Sequence, residues 1–295
     1  LHVEWTGKKI RAHPELNDEI RIAKQFCKAN NVYGAESYIN GFSGHIVDIL
    51  VIHYGSFISL MKKFASIDEV SIKKPLVIDT DNLLKNPIME MNKSKISPLI
   101  IVDPVQPERN AAAALGKEKL LMFIDACKNF IDSPSEDLFD IKKFDLQKKI
   151  LELKDKNKNS KIILIKVKTL EGSKDIVGTK VFKVYEDLIK QSSLNDFPVL
   201  DSAWHFDHEK RSAIILYVFD KERLSDTVEH SGPPLSAKAD VEKFRNKHDM
   251  TKVKGNRIYA TIKRKYTLPE KLLRELFEEK YIFDRVSEIS IDKVL

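Results

Sequence analysis

Gly41-Phe42-Ser43-Gly44-His45-Ile46-Val47-Asp48-Ile49-Leu50-Val51-Ile52-His53-Tyr54-Gly55-Ser56-Phe57-Ile58-Ser59-Leu60-Met61-Lys62-Lys63-Phe64 decides the fold of the first half. Ser43 after two glycine-flanked positions is a helix start signal, because its hydroxyl can accept from an orphan first-turn N–H. The apolar residues that follow cover nearly the whole circumference of a helix, so the segment is expected to be buried on most sides. Working outward, Pro14–Ala29 places Leu16, Ile20, Ala23 and Cys27 on one helical face. Residues 66–106 read as irregular, with strand-like runs at Leu76–Ile78 and Leu99–Val102 between prolines. Pro107 is expected to open a long helix that continues through Ala111–Ala114, since a proline at the first helical position loses no bond. Leu120, Phe123, Ile124 and Cys127 give a second apolar stripe. Asp132-Ser133-Pro134-Ser135 closes an all-helical domain placed at 1–137.

Beyond it the period changes. Lys142–Lys161 is a Lys-rich helix and linker, Lys161–Lys168 a strand, and Val177–Lys190 an amphipathic helix. Val199–Phe206 and Ser212–Phe219 are strands. Ser231-Gly232-Pro233-Pro234 reads as a loop and Ser236 as the cap of a helix to about His248. Asn256–Lys263 is a strand, and Thr267-Leu268-Pro269-Glu270 is a capping box opening a helix to about Lys280. The expectation is an α+β chain: a helical domain, then one or two small α/β sandwiches of helix on antiparallel sheet over 138–295.

Composition narrows the function classes. The 295 residues carry 50 Lys plus Arg against 44 Asp plus Glu, a net +6 compatible with a polyanion partner but not diagnostic of one. Two distant cysteines exclude a disulfide scaffold or Cys-rich zinc site and suit a reducing cytoplasm. No apolar run reaches the roughly 18 residues of a membrane helix, and no signal peptide is expected in the polar Leu1–Arg11. The start at Leu1 rather than Met leads to the expectation that an upstream segment is missing.

Two carboxylates one apart after a Gly-Ser would hold two metal ions for phosphoryl transfer. Gly55-Ser56 and Asp79-Thr80-Asp81 have those residues, but the gap exceeds twenty residues, so both are read as decoys. Phosphate-binding glycine loops, HExxH and GxSxG are absent from the sequence. Trp204-His205-Phe206-Asp207-His208 is one ligand type short of a zinc site and reads as a strand end. Lys252, Lys254, Arg257, Lys263, Arg264 and Lys265, interleaved with Tyr259 and Tyr266, combine charge with stacking surface, as backbone-tracking RNA binding requires. An edge strand protected by lysines accounts for the same pattern.

Several blocks occur in the order of one family. Arg21-Ile22-Ala23-Lys24, Val32-Tyr33-Gly34-Ala35-Glu36, Gly41–Gly44, His53–Phe57, Val102-Asp103-Pro104-Val105 with Pro107–Ala113, and His230–Pro234 resemble the central and C-terminal regions of archaeal (class I) CCA-adding tRNA nucleotidyltransferases. The resemblance implies addition of C, C and A to the tRNA 3′ end from CTP and ATP, on a frame of catalytic head, helical neck, α/β body and tail. It implies that this chain lacks the head, which would carry the Mg²⁺ ligands, and is inactive without one supplied in the same or a separate chain. His2, Lys24 and Tyr33 fall where the family contacts the incoming nucleotide, and Arg109 where it contacts the base; a lone helix lysine would otherwise be read as solvent-exposed. His45 stands where an aromatic ring is more usual. The implied partners are the tRNA acceptor and TΨC arm, with a homodimer open. A stand-alone RNA-binding module that has shed catalysis is the alternative.

Overall fold

The computed structural model describes residues 1–68, 74–92 and 95–295, so the irregular reading of 66–106 is met only on its described part; residues 69–73 and 93–94 lie outside the described residues. The chain divides into two compact units, Leu1–Lys143 and Phe144–Leu295.

The first unit is helical around one core. Helices α1 (His2–Ala12), α2 (Leu16–Ala29), α3 (Gly44–Tyr54), α4 (Phe57–Ala65), α5 (Pro87–Glu90) and α6 (Lys117–Asp132) are joined by two short strands, β1 (Leu76–Ile78) and β2 (Leu99–Ile101), paired in parallel. These strands are the runs expected from sequence. The stripe of α2 buries Leu16, Ile20, Ala23, Phe26 and Cys27. Fully buried Phe26 meets Phe57, Phe123, Phe130 and Phe139 edge-on, a quadrupole-favoured arrangement that adds to area burial.

The single helix expected from Gly41 to Phe64 does not form. The decisive stretch is two helices, α3 and α4, bent by 92°. Gly55 takes φ +80, the left-handed cap conformation that glycine adopts without a Cβ penalty. Ser56 then caps α4 by accepting from Ser59 N–H, and Glu19 of α2 accepts from Phe57 N–H at 2.6 Å. The long helix from Pro107 does not form either; the helix begins at Lys117. Fully buried Asn110 competes for the local backbone: its Oδ1 accepts from Ile101 and Ala112 N–H, both at 2.9 Å, and ties the alanines to β2 as turns. Helix α1 had no clear apolar stripe and was not expected; none of its residues is fully buried.

The second unit has two sheets. The first orders β4 (Val199–Asp207), β5 (Ser212–Phe219), β3 (Lys161–Thr169) and β9 (Val286–Val294), all antiparallel. Along β3, Ile163, Ile165 and Val167 face α8 (Lys174–Leu194) and α10 (Pro269–Phe277), while Ile162 and Leu164 face α7 (Leu146–Lys156). Covering both faces explains the unbroken apolar run Ile162–Ile165. The second sheet orders β6 (Thr227–Pro234), β8 (Arg257–Lys263) and β7 (Thr251–Lys254), beside α9 (Lys238–Lys247); a short α11 (Lys280–Phe283) precedes β9. Ser231–Pro234 is therefore the end of an edge strand and not a free loop; prolines are tolerated there because one side needs no ladder bonds. Gly232 is required, since a Cβ would lie 2.8 Å from Ile258 and Phe244. Helix α10 starts at Pro269 after Leu268 without a side-chain cap, so the Thr267 capping box is not made; helix α9 likewise starts after Ala237, uncapped by Ser236. The result is the α+β architecture expected from sequence.

Candidate functional site

Two loops and one helix start assemble the first site. Val32–Gly34 pairs with Gly41–Phe42: Phe42 N–H donates to Val32 C=O at 2.7 Å and Gly34 N–H to Phe42 C=O at 2.8 Å. A Cβ at Gly41 would sit 2.3 Å from Val32 O, so only glycine lets these backbones meet. This pairing fixes Tyr33 beside the N-terminus of α3. The Tyr33 hydroxyl lies 2.9 Å and Lys24 Nζ 3.8 Å from the place a Gly44 Cβ would occupy. Lys24 reaches across from α2 and pairs with Asp48 Oδ1 at 2.7 Å. The Lys28 ammonium stands 5.2 Å from the Tyr33 ring centroid. First-turn N–H groups of an eleven-residue helix lack intrahelical acceptors and carry partial positive charge.

The second loop holds Arg109. Asp103 N–H donates to Arg109 C=O at 3.1 Å, closing residues 103–109, and Asp103 Oδ1 accepts from Val105 and Gln106 N–H. The fully buried Asp103 carboxylate is reached by His2 Nε2 at 3.1 Å, His45 Nε2 at 4.0 Å and Arg109 at 4.0 Å. The His2 and His45 rings stack, centroids 4.2 Å apart. Burial, then the neighbouring His2 charge, pushes the His45 pKa down against the pull of Asp103 and Asp48, so its imidazole is neutral at neutral pH.

Thus His2 and Arg109 meet at Asp103, Lys24 and Tyr33 meet at Gly44, and His45 stands between the two groups. Asp103 and Asp48 were not singled out from sequence, and His45 was noted there without a role. Asp48 had a signal: it is the lone acid in a run of apolar residues.

Among the described residues one group of histidines and acids converges enough to hold an ion: His2, His45 and Asp103, with ligand atoms within 4.8 Å of one another. Two imidazoles and one carboxylate do not fit Mg²⁺, a hard cation that takes oxygen ligands. Asp79 and Asp81 do not supply them either. Asp81 accepts from Trp5 Nε1 at 3.0 Å and Lys9 at 2.8 Å, and Asp79 accepts from Leu84 N–H.

The basic residues of the second unit separate into two groups. In the β6-β8-β7 sheet, Lys252 lies opposite Tyr259, Lys254 opposite Arg257, Glu229 opposite Thr261 and Thr227 opposite Lys263. With side chains alternating in period two, all of these share the face opposite buried Ile258 and Ala260. Lys252 and Lys254 both pair with Glu229, which pushes that carboxyl down to about 2. Arg257 donates to Ser231 Oγ and Gly232 C=O. Arg264 and Lys265 lie beyond the strand and are engaged by Asp196 and Glu275. Four of the six residues therefore form one surface, and two do not belong to it.

Trp204–His208 runs along β4 into its turn, and His205 stacks on Phe144 at 4.3 Å. It forms no metal group among the described residues.

Both units match known families. Residues 18–140 match the family "tRNA nucleotidyltransferase, second domain", and residues 158–288 match "CCA-adding enzyme, C-terminal domain". The CCA-adding enzyme of Methanothermobacter thermautotrophicus is 25% identical over 95% of this chain and 58% of its own. That of Methanosarcina mazei is 28% identical over 93% and 58%, and that of Pyrococcus abyssi 32% identical over 88% and 55%. The chain spans less than two-thirds of the length of these relatives. With these two family domains in order along it, the chain belongs to the archaeal CCA-adding enzyme family.

Proposed function

We propose that this chain supplies the nucleotide-side contacts and the tRNA-binding surface of a CCA-adding tRNA nucleotidyltransferase, which extends tRNA by C, C and A from CTP and ATP. The observation that carries the reading is the convergence of His2, Lys24, Tyr33 and Arg109 about the start of α3. Triphosphate oxygens suit the Lys24 ammonium, the Tyr33 hydroxyl and the first-turn N–H groups. The Arg109 guanidinium offers fixed donors to base acceptors, steered by its carboxylate neighbour Asp103. The second unit presents Lys252, Lys254, Arg257, Lys263 and Tyr259 to the acceptor and TΨC arm. Metal-dependent phosphoryl transfer belongs to a head domain, in the same or a separate chain, where the Mg²⁺ ligands lie. The setting is cytoplasmic.

The test pairs binding with reconstitution. The chain alone binds an acceptor–TΨC minihelix better than a random duplex of equal length and incorporates no nucleotide; adding a head domain restores incorporation. Lys24→Ala in the reconstituted enzyme lowers nucleotide affinity about tenfold or more, since hydrogen bonds to charged groups contribute about 1.5–3 kcal/mol. Minihelix binding stays intact. Equal affinity for both duplexes overturns the tRNA assignment. Unchanged nucleotide affinity in Lys24→Ala removes Lys24 from the site. Selective RNA binding that no head converts to incorporation supports the stand-alone RNA-binding module.

A further inference from the structure

We propose that His2, His45 and Asp103 form a binding site for a borderline transition-metal dication of the Zn²⁺ class, beside the start of α3. The site is separate from any Mg²⁺ centre and does not depend on the nucleotide reading.

The donor set is that of such a cation. Two imidazole nitrogens and a carboxylate are ligands that zinc accepts in tetrahedral sites with one position left open. Donors at zinc's usual 2.0–2.2 Å stand about 3.4 Å from each other in a tetrahedron. His2 Nε2 stands 3.1 Å from Asp103 Oδ2, His45 Nε2 approaches the same carboxylate to 4.0 Å at Oδ1, and one ligand atom from each residue lies within 4.8 Å of the others, so a small inward shift of His45 closes the set.

The orphaned atoms give independent support. His2 Nε2, His45 Nε2 and Asp103 Oδ2 are all sealed from solvent and make no hydrogen bond of good geometry with one another or with anything else. Leaving a buried polar atom unpaired is costly, and three such atoms aimed at one point want a common partner. A cation satisfies all three at once, whereas a proton shared between one histidine and Asp103 leaves the second histidine unpaired.

The carboxylate is preorganised. Asp103 is fully buried, and its other oxygen is held by Val105 and Gln106 N–H at 3.0 and 3.3 Å. Oδ2 is thereby left toward the histidines. Carboxylates held in this way by backbone donors are what fix ligand orientation at metal sites. The one opposing group is Arg109, 4.0 Å from Oδ2. Its side chain is 56% exposed and has room to withdraw into solvent as the cation enters.

Three protein ligands leave one position of a tetrahedral cation for water.

The experiment uses the full chain and the metals alone. Zn²⁺ is titrated by competition with a chromophoric chelator, and Co²⁺ is followed by its visible ligand-field absorption. One equivalent binds, with the intense band of a four-coordinate site, and Mg²⁺ at the same concentration does not compete. His45→Gln and Asp103→Asn each weaken Zn²⁺ binding about tenfold or more, the scale on which even outer partners of metal sites matter. Circular dichroism verifies that each variant is folded; should Asp103→Asn fail to fold, His45→Gln and His2→Gln carry the test. His208→Gln, in the second unit, leaves the titration unchanged.

A free α-amino group at Leu1 could chelate a metal together with His2 alone. Binding that survives in His45→Gln at full affinity therefore overturns the proposal, as does the absence of a stoichiometric Zn²⁺ site or equal competition by Mg²⁺. None of these results bears on the Lys24→Ala test, so the two readings stand or fall separately.

Discussion

Asn110→Ala should loosen the first unit far more than its single small side chain suggests. Asn110 is fully buried, and its Oδ1 accepts two backbone N–H groups, from Ile101 and Ala112, at 2.9 Å each. Its Nδ2 donates to Lys95 C=O and Ser97 Oγ at 3.0 and 3.1 Å. Alanine strands both backbone donors in a dry environment, at about 1–3 kcal/mol each. The Ser97 hydroxyl suffers less, because its one O–H is still shared between Leu99 and Ala112 C=O. The expected loss is about 3–4 kcal/mol, once the desolvation no longer spent on the carboxamide is offset. The chain has two tryptophans, Trp5 in the first unit and Trp204 in the second. Urea unfolding followed by Trp5 fluorescence in a Trp204→Phe background isolates the relevant transition. Asn110→Asp refines the test. It keeps the acceptor, loses both donors and buries a carboxylate, so it should be at least as destabilising at pH 7 and recover as acid neutralises it. A loss below about 1 kcal/mol in Asn110→Ala refutes the idea that this side chain holds the Asp103–Arg109 loop to β2.

Three further outcomes are expected. Gly41→Ala drives a methyl group into the Val32 carbonyl, 2.3 Å away, and should lower stability by about 1–3 kcal/mol and weaken nucleotide binding by displacing Tyr33, read by thermal melting and ATP titration. Glu229→Gln frees Lys252 and Lys254, so RNA affinity should rise and the slope of log K on log salt should steepen by about 2 if both reach phosphates; an unchanged slope argues that this face does not meet RNA. Stability should also fall on mild acidification. Burial lowers the pKa of His45, His53 and His205 below 6.5, so the unfolded chain binds more protons under slightly acidic conditions. Their contribution is complete above pH 6.5 and is lost as pH falls through the lowered folded values; His53→Gln with His205→Gln should flatten that limb of a melting-temperature profile.

Sequence reading was strongest where pattern and packing coincide. The stripe of α2 and the runs of β3 and β5 are burial patterns, and burial is what the pattern records. It failed where one side chain overrides local propensity. The alanines after Asn110 are good helix formers, yet two hydrogen bonds to Asn110 hold them as turns. Gly55 splits an apolar run whose residues are buried on either side of the bend, so hydropathy gave no sign of it. Strand β9 was missed because its outer residues are exposed and charged, leaving little apolar alternation, while β7 is the lysine-bearing edge strand weighed as the alternative to RNA binding. For the first site, the residues named by resemblance fall in two groups, His2 with Arg109 at Asp103 and Lys24 with Tyr33 at Gly44. The acids that hold them did not stand out, since a buried carboxylate and a surface one look alike in a sequence.

The pairing of β3 with β9 sets a timetable for the second unit. Lys168 meets Glu288, 120 residues later, and the first strand of the sheet has its last strand as a neighbour. During synthesis the first unit has all its partners once residue 143 has emerged, whereas β3 waits with one edge open until β9 follows. At about 5–20 residues per second that interval is about 6–24 seconds, in which an apolar strand edge is exposed to wrong partners. Ribosome pausing before β9 should therefore raise aggregation of this chain, while a pause just after residue 143 should be harmless.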